Sequence, residues 1–313
     1  MRRRTEPGSE PSAEFAAGVS LAGEHATAGL VRGLNGDHVE PIVLKGPATS
    51  NWLRPGSARY STDIDLLPSP DDTAIVEAFL EREGYTRLLQ SDPASHATTW
   101  VKDGAFSVDV HHTLIGVDAD DATVWKVLSA STERRTIGGQ ECTVLDSAGR
   151  TLSVVLHAAQ HGPRDMRVVD DLGALLDRDS FSELTAAARL AGQLRAEGAF
   201  AAGLCVDPRG TELAARLGLP TVSTTETALR AAGTPAVALG LARFSSADGW
   251  RARLRLVRDE LAPEPAFMRV WHPLARKGRT GLVAAYAYRP FWLAGKLPRA
   301  FRAYGRARSV SRK

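Results

Sequence analysis

Two short apolar runs, Ile42-Val43-Leu44 and Ile64 with Leu66-Leu67, constrain this chain most, because each is joined to polar groups that an ordinary strand interior does not carry. The first stops at Lys45-Gly46, and Pro47 then suits the first turn of a helix. Gly46 lets backbone approach an anion closely, the helix start adds partial positive charge and Lys45 adds a full one, although an ordinary strand-to-helix turn looks the same. In the second run Asp63 and Asp65 flank Ile64, so an extended backbone turns both carboxylates to one face and Ile64 to the other. Two aligned carboxylates are enough for Mg2+, a hard octahedral ion that also takes waters and substrate phosphates.

Spacing alone does not distinguish this pair. Asp118/Asp120 and Asp177/Asp179 repeat it where the surroundings read as a helix start and a solvated helix end, hence surface charge. The difference is a third carboxylate, Asp109, in the alternating run Phe106 to His112, which puts Ser107, Asp109 and His111 on one face and Val108, Val110 and His112 on the other. Ala97 to Val101 is rich in strand formers, and Asp103-Gly104 between the two runs signals a hairpin. A mid-strand Asp is costly if desolvated without a partner. A metal shared with Asp63 and Asp65 explains Asp109, and a solvated sheet face is the alternative. His111 borders the same site, whereas His112 is expected in packing. His157 and His161 stand at metal-ligand spacing on one helix face, but no Glu follows His157, and packing or substrate-side hydrogen bonds explain the pair better than zinc.

A chain of 313 residues that is 43% hydrophobic can bury more than one core. The pattern predicts a disordered 1–12, a first domain over 13–147, a helical domain over 148–264 and a basic amphipathic segment over 265–313. Within the first domain, strands at 42–46, 63–67, 97–101, 105–112 and around the Gly138-Gly139 turn alternate with helices near 11–35 and 71–83, the latter with a stripe of Ile75, Val76, Phe79 and Leu80. Residues 265–313 hold twelve Lys and Arg and no Asp or Glu, against +3 for the whole chain. Aromatic residues are interleaved with these charges, which fits peripheral contact with anionic lipid best, then nucleic acid or an acidic protein or glycan; a helix packed on the bundle with a frayed tail is the alternative. The stretch 282–293 is too short to span a membrane and is interrupted by Arg289-Pro290. No apolar run follows Arg2-Arg3-Arg4, and Cys142 and Cys205 lack paired spacing, so the expectation is a cytoplasmic, possible membrane-peripheral protein with reduced thiols.

Leu44-Lys45-Gly46, Arg59, Asp63-Ile64-Asp65-Leu66-Leu67 and Val108-Asp109-Val110-His111 together resemble the nucleotidyltransferase superfamily, and more narrowly the bacterial group called nucleotidyltransferase family 5. The likeness continues through Leu156 to Gly162, Arg167 to Leu172 and Tyr288-Arg289-Pro290; the superfamily more commonly has Gly-Ser where this chain has Lys-Gly. The resemblance implies an α/β (α+β) fold, a mixed sheet with flanking helices followed by a helical domain. It implies two Mg2+ ions held by Asp63, Asp65 and Asp109, and a nucleoside triphosphate donor, ATP by default, with an unknown acceptor. Lys45 and Arg59 would neutralise donor phosphates, although Arg59 could equally pair with a nearby acid, and Asp109 would help orient or deprotonate an acceptor hydroxyl. The alternative is a non-catalytic binding or regulatory module of the same fold.

Overall fold

The structure is a computed structural model that describes residues 13–56, 63–88, 96–178, 180–220, 224–234, 236–247 and 249–310. Arg59, Asp179 and the segment expected to be disordered, 1–12, lie outside the described residues.

The first half runs α1 (Ala13–Gly36), β1 (Ile42–Val43), α2 (Pro47–Leu53), β2 (Asp63–Leu67), α3 (Thr73–Arg82), β3 (Thr86–Arg87), β4 (Ala97–Val101), β5 (Ser107–His111), α4 (Asp121–Ser129), β6 (Thr132–Ile137) and β7 (Gln140–Leu145). The strands form one mixed seven-stranded sheet in the order β3-β4-β5-β2-β1-β7-β6. β2 and β5 are parallel neighbours, with Asp63 opposite Ser107 and Asp65 opposite Asp109. β1 is antiparallel to β2 and parallel to β7. The carboxylate strands are therefore central, where backbone groups are paired on both sides and side-chain direction is fixed.

Period-two alternation sorts the strands between two cores. Val43, Ile64, Leu66, Val108, Val110 and Val144 pack beneath α1 and α3 with Leu30, Leu34, Phe79 and Leu80. Ile42, Leu44, Leu67 and Leu145 face the other way, onto the helices that follow the sheet. Asp63 and Asp65 share the strand parity of Leu67, so the carboxylates are on the helix-covered side. In α3, Val76, Phe79 and Leu80 are buried, but Ile75 is 43% exposed, so the inward stripe is narrower than the sequence suggests.

The second half is helical: α5 (Ser147–His161), α6 (Met166–Arg178), α7 (Phe181–Gln193), α8 (Glu197–Leu204), α9 (Pro208–Arg216), α10 (Thr225–Ala231), α11 (Ala236–Ser246), α12 (Gly249–Leu261), α13 (Pro265–Trp271) and α14 (Gly278–Val310). Asp146 caps α5, its carboxylate accepting from Gly149 N at 2.8 Å. Ten α5 residues between Gly149 and Ala159 are buried, as expected of a helix enclosed on all sides. Gly203 of α8 makes the close crossing with α5 feasible, because a Cβ there would collide with the Val155 carbonyl oxygen. In α14, Leu293, Ala300, Ala303 and Ala307 pack on Leu229, Ala238 and Ala242. One of the twelve cations expected in a basic tail, Arg289, is instead buried and paired with Glu260 at 3.0 Å. Among the described residues no helix is long and apolar enough to cross a membrane.

Candidate functional site

The strand register alone places two carboxylates side by side. Asp65 and Asp109 are Cα partners in the parallel ladder, and His111 follows Asp109 on the same face of β5. Asp65, Asp109 and His111 each offer a ligand atom, and these atoms lie within 4.8 Å of one another. Asp65 is 3% exposed and His111 is 1% exposed. His111 Nε2 is 2.8 Å from Asp65 Oδ1, and its Nδ1 faces the Thr113 carbonyl at 3.3 Å. An imidazole that donates through one nitrogen to a backbone carbonyl presents the other to a cation in a fixed direction.

Lys45 reaches the same oxygen. Leu44 N donates to the Asp65 carbonyl at 3.0 Å, which carries the end of β1 past Asp65 and puts Lys45 Nζ 3.2 Å from Asp65 Oδ1. The chain then turns through Gly46 at φ 64°, ψ −127°, a left-handed conformation that glycine adopts without Cβ strain, and Pro47 opens the seven-residue α2. Lys45 thus shares one Asp65 oxygen with His111.

Burial would raise the Asp65 carboxyl, but the Lys45 ammonium and the His111 ring outweigh it and hold the group well below the usual carboxylate range. Asp109 behaves oppositely. Burial raises its pKa, the hydrogen bond from Thr99 Oγ1 at 2.6 Å opposes that, and the negative charges of Asp65 and Asp63 reinforce it. The partners of these two adjacent carboxylates thus push their pKa values in opposite directions.

Asp63 opens β2 and is not part of the compact trio. It is half-buried and lines a small recess with Gly46, Pro47 and Phe106, while its charge still reaches Asp109. His112 falls past the end of β5 and is half-buried, not packed in the apolar layer. The His157 and His161 rings are 4.4 Å apart at the end of α5. Burial lowers the pKa of His161, Asp165 opposes this, and the charges of Lys45, Arg167 and Arg230 add to the lowering, which places this end of α5 within electrostatic range of Lys45.

Three contributors were not singled out from the sequence. Thr99 holds Asp109, and counting cross-strand partners from the Asp103-Gly104 turn finds it only if the loop length is known. His96 precedes β4, its ring centroid 5.2 Å from that of His111; burial and the charges of His111, Lys45 and Arg230 lower its pKa to about 3 against the pull of Asp65. Arg230, on α10, acts on both His96 and His161, and no local signal could assign it.

Two carboxylates and an imidazole within this span suit a divalent cation.

A family model described as "Uncharacterised nucleotidyltransferase" matches residues 17–206. Among solved structures, the chain is similar to the antibiotic-resistance factor ANT(2'')-Ia, at 14% identity and TM-score 0.41, over 57% of this chain and 94% of that one. It is also similar to an antigenic nucleotidyltransferase-like protein from Paracoccidioides brasiliensis, at 14% identity and TM-score 0.34, over 56% of this chain and 93% of that one. No curated protein matches the chain.

Proposed function

The chain belongs to the uncharacterised nucleotidyltransferase family, and from that premise we propose that it moves a nucleoside monophosphate from a nucleoside triphosphate to an acceptor hydroxyl in a metal-dependent reaction. The observation that carries this reading is the convergence of Asp65, Asp109 and His111 within 4.8 Å, with Lys45 on the same Asp65 oxygen. Asp65 and Asp109, with Asp63, would hold Mg2+ through carboxylate oxygens, and His111 would orient Asp65. The ion would supply charge neutralisation at the phosphates and a lowered acceptor pKa. Lys45 would bind donor phosphate, and Gly46 would admit it close to the backbone. Arg59 is proposed for the same phosphates on sequence grounds alone.

The reaction is an in-line exchange at the α-phosphorus. The acceptor oxygen forms the new P–O bond, the bond to pyrophosphate breaks, and pyrophosphate leaves with the electron pair. The hydroxyl proton passes to Asp109, the carboxylate beside Asp65 on the neighbouring strand. Asp65, kept ionised by its partners, has no such role. Titration with Mn2+ followed by electron paramagnetic resonance tests the assignment. Binding that strengthens with nucleotide and is lost in Asp109→Asn supports it, and equal binding in the variant refutes it.

A second observation favours peripheral attachment to an anionic membrane. Trp250 and Leu254 are exposed four residues apart on α12 and lie among Arg251, Arg253, Arg255 and Arg258. Exposed Val283, Phe291 and Phe301 continue this character on the acid-free α14. Aliphatic side chains flanked by arginine suit a lipid interface better than stacked bases do. Sedimentation with anionic but not neutral vesicles, reduced in Leu254→Asp, is the expected result. A nucleotide-binding but vesicle-indifferent protein would remove this part of the reading.

A further inference from the structure

Beside the acidic cluster the helical half borders a cavity of about 1150 Å3, larger than the roughly 300–1,000 Å3 of ordinary small-ligand pockets. His96 and Thr113 line it, and both meet His111, His96 ring to ring at 5.2 Å and Thr113 through its carbonyl at 3.3 Å; Trp271 and Trp292, whose rings meet edge to face at 5.3 Å, line it from α13 and α14. Several charges on its wall are engaged in ion pairs. Glu226 takes Arg230 at 2.8 Å and Arg243 at 3.4 Å, and Glu260 takes Arg289 at 3.0 Å. The ligand-facing surface left over is mainly aliphatic and aromatic. On the side nearest the cluster, Thr113 Oγ1 is enclosed without a hydrogen-bond partner.

We propose that the acceptor is an amphiphile, a hydroxyl headgroup on a long hydrocarbon tail, with the head beside Asp65 and Asp109 and the tail in this cavity. This rests on the nucleotidyl-transfer reading above. A small polar acceptor would leave the apolar wall hydrated, whereas a tail removes that surface from water. The transfer itself is the exchange already described: the head oxygen bonds to the α-phosphorus, its proton goes to Asp109 and pyrophosphate leaves.

Gly240 of α11 provides the test, because it lines the cavity and a Cβ there would meet no atom within 4 Å. Gly240→Phe fills the space from a helical position that prefers a side chain to glycine, and Gly240→Leu is the milder second variant. Dansyl-labelled undecanol and dansyl-labelled propanol are titrated into the full chain by energy transfer from tryptophan, and Mg2+-nucleotide stabilisation is measured in parallel. The expected result is at least about tenfold tighter binding of the long alcohol, lost in the folded Gly240 variants while the nucleotide shift persists. Equal binding of both alcohols, or full binding in the filled variants, overturns the amphiphile while leaving the nucleotide reading in place. Alcohol binding without any nucleotide shift in the unmodified chain removes the transferase reading, and the acceptor role with it.

Discussion

Asp65→Asn should separate chemistry from folding. Asp65 Oδ1 is 3.2 Å from Lys45 Nζ and 2.8 Å from His111 Nε2 in a nearly fully buried position. Unit charges at the Lys45 distance attract by about 5 kcal/mol at an effective dielectric near 20, and burying the carboxylate costs several kcal/mol in return. Asparagine keeps the shape and can meet His111 Nε2 through its oxygen or its amide nitrogen, and the Lys45 side chain is 29% exposed, so its charge stays partly hydrated. The net loss of stability is then about 1–2 kcal/mol, a fall of a few degrees in Tm for a chain of this size. Loss of an anionic ligand should remove several kcal/mol of transition-state stabilisation, a drop of at least about a thousandfold in rate. Calorimetric unfolding and pyrophosphate release from a nucleoside triphosphate, run on the same preparations, give the two numbers. An unfolded variant, or one as active as the parent, would refute the reasoning.

The remaining expectations follow from single contacts. Thr99→Val removes the hydrogen bond that holds the Asp109 pKa down, so the acid limb of the pH–rate profile should move to higher pH; an unchanged limb would mean that Asp109 does not limit the rate. Gly203→Ala should cost about 1–3 kcal/mol by denaturant unfolding, since α8 can relieve the clash with the Val155 carbonyl only by leaving α5. His96 binds its proton at about 3 when folded and near 6.5 when unfolded, so the unfolded chain holds more protons between these values and stability falls as pH drops through them. His96→Gln should flatten that slope, and an undiminished slope would assign it to other groups.

Much of the site is legible because alternation is a strict rule. Ile64, Leu66, Val108 and Val110 leave only one direction for Asp65 and Asp109, and the register joins them as the strand order requires. The Gly138-Gly139 turn likewise joins β6 to β7. The hairpin before Asp109 shows where such reasoning stops. A two-residue loop at Asp103-Gly104 would set Asp109 against Thr98, but the strands end at Val101 and restart at Ser107, and Asp109 faces Thr99. Loop length depends on tertiary fit, which no dipeptide encodes. Ile75 has the spacing of a core residue but falls at the stripe's edge, where exposure depends on what packs alongside. The contact of Lys45 with Asp65 was not legible, because it needs the order in which β1, β2 and β5 assemble. Arg230 lies farther still, on a helix whose position follows from the packing of α10 on α5 and α14.

Thermal unfolding of the purified chain with each nucleoside triphosphate, with and without Mg2+, and repeated on Asp65→Asn, tests the central claim most directly. A ligand present at a hundred times its Kd stabilises by about 2.7 kcal/mol, enough to move the midpoint visibly. The account predicts a Mg2+-dependent rise with at least one triphosphate that disappears in Asp65→Asn. A midpoint indifferent to every triphosphate, or a rise that survives loss of the carboxylate, would contradict it.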